Sequence, residues 1–147
     1  MTRVRGSRQR GFTLIEIMVV VVIIGLLPAL VTTQVVGRID EARVTKTKQD
    51  LKQIEAALTL YRLDNSRYPT TEQGLDALVR RPTSEPQPLN WKEGGYLTRP
   101  PKDAWKNDYV YVSPGENGPY DLWSLGADQR EGGEGTDADI SVWDLDQ

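Results

Sequence analysis

Arg10-Gly11-Phe12-Thr13-Leu14-Ile15-Glu16-Ile17 marks the junction on which the reading of this chain turns. Upstream, the leader from Met1 to Gly11 carries Arg3, Arg5, Arg8 and Arg10 and no acid. Downstream, an apolar stretch runs to Val36, and between Ile17 and Val31 no side chain is charged or able to hydrogen-bond. As a helix, the about 25 residues from Phe12 to Val36 would reach roughly 37 Å, enough to cross a bilayer core of about 30 Å. Gly25 and Pro28 lie inside this stretch, and Pro28 removes one backbone hydrogen bond, which predicts a kink there. A secretory signal peptide shares the basic start and the apolar run. Against it, this run is long, it holds Glu16, and no small-x-small cleavage site follows.

From Gly37 to Leu63 the pattern becomes amphipathic. Val44, Leu51, Ile54, Leu58 and Tyr61 recur at sevens, threes and fours, the spacing of one helical face. No strong breaker lies between Val36 and Leu63, so one long helix is predicted, its first half apolar all round and its second packed on a globular domain. Residues 64–101 are rich in Pro, Gly and polar side chains. A short helix is predicted from Thr71 to Arg80, capped by Thr70 or Thr71 and stopped by Pro82. Strand-like runs follow at Tyr109 to Val112, Tyr120 to Leu125 and Ile140 to Trp143. The first two flank a hairpin loop from Ser113 to Pro119. The expected fold class is α+β, a long N-terminal helix against a small antiparallel sheet.

Composition excludes several chemistries. The chain has no Cys and no His, so disulfides, zinc sites of the usual ligands, and Ser-His or Cys-His catalysis are ruled out. Any metal must be a hard cation held by oxygens. Net charge is −3, and setting aside the leader's four arginines leaves the remainder at −7 (−3 less +4). With no basic patch interleaved with aromatics, nucleic-acid binding is not expected. From Asp128 to Asp146 there are seven acids and one base, Arg130, with glycines at 132, 133 and 135. Such a segment reads either as a solvated acidic tail or as a loop whose repelling carboxylates await a cation. The strand-like run at Ile140 pins its far end.

Glu16 is the most informative residue. An acid in an apolar span costs about 2.5–3.5 kcal/mol on insertion scales, so it needs a partner or a role. Near the interface it could snorkel. If the leader is cut between Gly11 and Phe12, however, a new amino group appears four residues from Glu16. A neighbouring subunit shifted along a shared axis could then bring its own amine to this carboxylate, and the pairing of two buried charges would drive association and fix register.

These residues resemble the type IV prepilin signature: a basic leader ending in Gly, then Phe-Thr-Leu-Ile-Glu before an apolar run. The resemblance implies that a prepilin peptidase cuts after Gly11 and methylates the amine of Phe12, and that Glu16 meets the neighbouring amine. It also implies the orientation, with the leader inside and the domain outside. Further along, Tyr61 to Leu75 (YRLDNSRYPTTEQGL), Tyr109 to Pro114, Asp121 to Asp128 (DLWSLGAD), Glu131 to Gly135, Ala138 to Ile140 and Trp143 resemble the major pseudopilins of type II secretion, the G-type subunits. Relatives commonly carry the membrane-helix proline where Thr33 stands here, and glycine where Gln129 stands.

That resemblance implies a calcium ion in the acidic loop, with Asp128 and Asp139 as side-chain ligands, the Leu125 carbonyl, and Thr136 (backbone) and Asp137 as further ligands. It implies three parts: a cleavable leader at 1–11, a transmembrane and polymerisation half-helix at 12–36, and a periplasmic domain at 37–147. The expected protein is not an enzyme. It is the major subunit of a type II secretion pseudopilus, a helical homopolymer anchored in the inner membrane by a single pass. Its expected partners are minor pseudopilins, the prepilin peptidase, and the inner-membrane secretion platform with its cytoplasmic ATPase. The alternatives are a surface type IV pilin for adhesion or DNA uptake, and a membrane-tethered periplasmic enzyme with a carboxylate pair.

Overall fold

The computed structural model describes residues 11–145, except the side chains of residues 29–36. The leader's arginines, the side chain of Thr33 and Asp146 therefore lie outside the described residues. The chain divides into two units, Met1–Arg38 and Ile39–Gln147.

A single α-helix, α1 (Leu14–Asn65), runs from one unit into the other, as the unbroken apolar and amphipathic patterns predict, and Pro28 is inside it. In the first unit every large apolar side chain from Phe12 to Leu27 is at least half exposed. A helix apolar on all sides has no polar face to present to water. Among the described residues, no helix is long and apolar enough to cross a membrane.

In the second unit, α1 buries one stripe. Leu51, Ile54, Leu58 and Tyr61 are at most 1% exposed, and Val44 packs against them. The stripe continues as Thr47 and Asn65, both buried. Opposite it lies a three-stranded antiparallel sheet of β1 (Val110–Val112), β2 (Asp121–Ser124) and β3 (Ile140–Ser141), in the order β1-β2-β3. Tyr111 faces Leu122 across the first pair, and Ser124 faces Ile140 across the second. Tyr109, Tyr111, Tyr120, Leu122, Ile140 and Val142 complete the core. The hairpin predicted around Ser113 to Pro119 joins β1 to β2.

Two expectations need correction. The helix expected from Thr71 to Arg80 is only a 3-10 turn, Leu75–Leu78. Thr70 and Gln73 do form a reciprocal cap, each side chain accepting from the other's backbone N–H at 3.2 Å. But Gly74 adopts φ 57°, which breaks the right-handed path. The Gln73 amide then donates to the Ser84 and Pro86 carbonyls, fastening the turn to the following loop. The strands are also shorter than expected. β3 stops at Ser141 because its hydroxyl accepts from the Trp143 N–H and starts a second 3-10 turn, Val142–Asp144.

Candidate functional site

Gly11 and Phe12 precede the helix, and Phe12 is 83% exposed. The junction is thus non-helical chain leading into an apolar helix. Thr13 caps that helix: its hydroxyl accepts from the Glu16 N–H at 3.3 Å, while Glu16 Oε2 accepts from the Thr13 N–H at 3.2 Å and from the Thr13 hydroxyl at 3.4 Å. This is a capping box, and an acid in the first turn also complements the helix dipole. The Thr-x-x-Glu spacing was available in the sequence and was the unread half of the motif. One carboxylate oxygen of Glu16 is held by its own chain, and the other accepts no hydrogen bond among the described residues.

The acidic loop is pinned at both ends. Its entry is fixed through Asp103, which is 4% exposed. Asp103 Oδ1 accepts from the N–H groups of Trp105 and Asn107, and Oδ2 accepts from the Ser124 hydroxyl at 2.8 Å. The same hydroxyl accepts from the Gly126 N–H, and the Asn107 amide reaches the Gly126 carbonyl. Leu125 is therefore framed on both sides. At the exit, Ser124 pairs with Ile140, next to Asp139. Asp103 was not singled out from the sequence, because its value depends on contacts across about 20 residues.

Within the loop, the Ala127 N–H donates to the Thr136 carbonyl at 3.0 Å. Gly126 has φ 67°, and a Cβ there would lie 2.8 Å from the carbonyl oxygens of both Thr136 and Asp137. A Cβ at Gly133 would strike the Asp137 carbonyl as well. Leu125–Gly126 and Thr136–Asp137 are thus brought side by side, and only glycine permits the approach. Asp128 Oδ1 accepts from the Arg130 N–H, and Asp139 Oδ2 from the Gly132 N–H, both at 3.0 Å. Each carboxylate spends one oxygen on its own turn. Among the described residues, no three acidic side chains converge on a common point. What the loop offers is an oxygen-only set of two carboxylates and backbone carbonyls, the donor chemistry that suits a hard cation. Gln129 sits at φ 59°, in the left-handed region that favours glycine.

A third feature carries no sequence signature. Asp121 opens β2 and is 7% exposed. Its carboxylate accepts from the Glu116 and Asn117 N–H groups, the Asn117 amide and the Trp143 indole. Burial alone would raise its carboxyl, but these four donors outweigh it and hold the group below its ordinary value. Hairpin loop and C-terminal turn are tied together at this one residue.

The family described as "Type II secretion system (T2SS), protein G" matches residues 34–143, and the "Prokaryotic N-terminal methylation motif" matches residues 6–30. The chain is 60% identical over 137 residues to type II secretion system core protein G of Pseudomonas aeruginosa, covering 93% of this chain and 96% of that one. It is 54% identical to the protein of the same description from Vibrio cholerae, covering 94% of each. Among solved structures, the crystal structure of the major pseudopilin from the type 2 secretion system of enterohaemorrhagic Escherichia coli matches with a TM-score of 0.64 at 44% identity, covering 74% of this chain and 92% of that one.

Proposed function

The chain belongs to the type II secretion system protein G family, and from that membership we propose how it acts as the major subunit of a pseudopilus. The precursor inserts in the inner membrane by the stretch 12–36, with residues 37–147 in the periplasm. The prepilin peptidase removes residues 1–11 and methylates the amine of Phe12. The mature subunit then leaves the bilayer for a helical homopolymer, in which Glu16 meets the Phe12 amine of a neighbour. Minor pseudopilins, the inner-membrane platform and its cytoplasmic ATPase are its partners, and its role is structural rather than enzymatic.

The observation that carries this reading is the N-terminal end of α1, where an unpartnered apolar surface surrounds one half-engaged carboxylate. Lipid can cover that surface before assembly and other copies can cover it afterwards. The acidic loop is the second support. Asp128 and Asp139, with the Leu125 and Thr136 carbonyls and Asp137, would hold calcium, whose charge would offset the repulsion among the loop's acids.

The test is Glu16→Val in cells that carry the secretion system. Membrane insertion and processing should persist, with an intact mass starting at Phe12 plus one methyl. Fibre assembly and export should collapse, because leaving one partner of a buried charge pair alone costs about 3–5 kcal/mol at every contact. Assembly and export at the parent level would reduce Glu16 to a capping residue, and a mature chain that kept Met1 to Gly11 would refute the processing step.

A further inference from the structure

A groove at the C-terminal end of α1 has no part in the features described so far. Arg62, Ser66, Arg67, Tyr68, Pro114 and Pro119 shape a cleft of about 400 Å³, and no acid lines it. This is notable on a chain of net charge −3. The Arg62 guanidinium lies 5.3 Å from the centre of the Tyr68 ring, which holds the cation against an aromatic wall. Arg67 donates to the Gln87 carbonyl at 2.6 Å through one nitrogen, while its Nε–H is buried with no acceptor among the described residues. Between them Ser66 takes φ 61°, a left-handed conformation at the helix end where glycine is the usual occupant. Two arginines in a cleft that no described acid lines, walled by proline and tyrosine, make a receptor for carboxylates.

The same chain carries the complement. Glu131 and Glu134 are exposed at the tip of the acidic loop, among glycines 132, 133 and 135, which all have positive φ. Neither glutamate is among the calcium ligands assigned above. We propose that the arginine groove of one subunit receives this acidic tip from a second copy. The groove cannot simply be filled by its own loop. The loop's entry is anchored through Asp103–Asn107, and the Ala104 N–H in that segment donates to the Thr47 hydroxyl on α1. The groove begins at Arg62, about 15 residues and roughly 22 Å further along the helix. Two different, complementary surfaces on one chain form a head-to-tail contact, and such a contact propagates into an open helical filament when its rotation does not close. The pairing rests on the pseudopilus reading, since only polymerised copies present the two surfaces to each other at high local concentration.

Because the full chain has no cysteine, introduced thiols report directly. In cells that carry the secretion system, Ser66→Cys combined with Glu134→Cys should yield, on mild oxidation, a ladder of covalent multimers, and each single variant nothing beyond a dimer. Fibres that form normally yet stay monomeric under oxidation, with Glu134→Cys and equally with Glu131→Cys, would overturn the pairing. If the thiol variants do not assemble, charge reversal decides. Arg62→Glu and Glu134→Arg should each lower fibre yield at least about tenfold at matched protein level, and together restore it to within about twofold. Losses that simply add would overturn the pairing. A parent chain that formed no fibres would bring down the pseudopilus reading and the pairing with it.

Discussion

Tyr109 and Tyr111 flank Val110 and enter the same core, each 7% exposed. The Tyr111 hydroxyl donates to the Pro69 carbonyl at 2.8 Å, whereas the Tyr109 hydroxyl is buried with no partner among the described residues. Burial pushes the pKa of both up, so both stay neutral across the working range. Removing a satisfied hydroxyl strands its partner, whereas removing an unsatisfied one relieves a desolvation cost. Tyr111→Phe should therefore lower stability by about 1 kcal/mol, and Tyr109→Phe should be neutral or raise it by up to about 1 kcal/mol, read from urea midpoints at constant slope. A loss at Tyr109 equal to that at Tyr111 would contradict the contrast. At this scale the sequence was uneven as a guide. Glu16 stood out because a lone acid in an apolar run is conspicuous. Its cap Thr13, three residues away, passed unread because a polar residue at a helix start attracts no notice. Gln129 departs from the pattern the resemblance implies, and its φ of 59° places it in the left-handed region that glycine adopts most readily.

At the scale of elements, the amphipathic half of α1 was legible because helical periodicity is local: Leu51, Ile54, Leu58 and Tyr61 are all buried as their spacing predicts. The strands were located but overlong, since their ends are set by single side-chain hydrogen bonds, Ser141 to the Trp143 N–H and Asp121 to the Trp143 indole, which alternation of apolar residues does not register. Asp121 gives an acid-sensitive clasp. Its carboxyl is held below the ordinary value, so the unfolded chain binds more protons in that range and stability rises with pH. Its contribution is fully present above about pH 4, the ordinary carboxyl value, and is lost as pH falls through the lowered one. Asp121→Asn should cost about 1.5–3 kcal/mol at neutral pH and flatten the acid limb of the stability curve, measured by thermal melts from pH 2 to about 7. A limb of unchanged steepness would show that other carboxylates govern it. The acidic loop supplies the other test. Calcium at about a hundredfold excess over its dissociation constant should add about 2.7 kcal/mol, well over five degrees in the Tm of residues 37–147 at roughly 4–8 °C per kcal/mol. Asp128→Ala or Asp139→Ala should abolish the shift, and identical melts in calcium and in chelator would remove calcium from the account.

For the molecule as a whole, the two units divide stability from association. Leu58, fully buried, belongs to the core of Ile39–Gln147, and Leu58→Ala should cost about 2–5 kcal/mol and lower the amount of folded protein. Ile23, half exposed, has no core to lose, so Ile23→Ala should leave the melting of that unit unchanged. Equal losses in the two variants, compared by protease resistance of the extracted full chain, would refute the division. The sheet bears on the same question from the opposite side. Its outer strands β1 and β3 span three and two residues. Unpaired backbone along a long, flat edge would recruit strands from neighbouring copies into amyloid-like stacks. Edges this brief offer an incoming strand almost no ladder to extend. A protein whose work is to crowd against its own copies is thereby kept from stacking strand on strand with them instead.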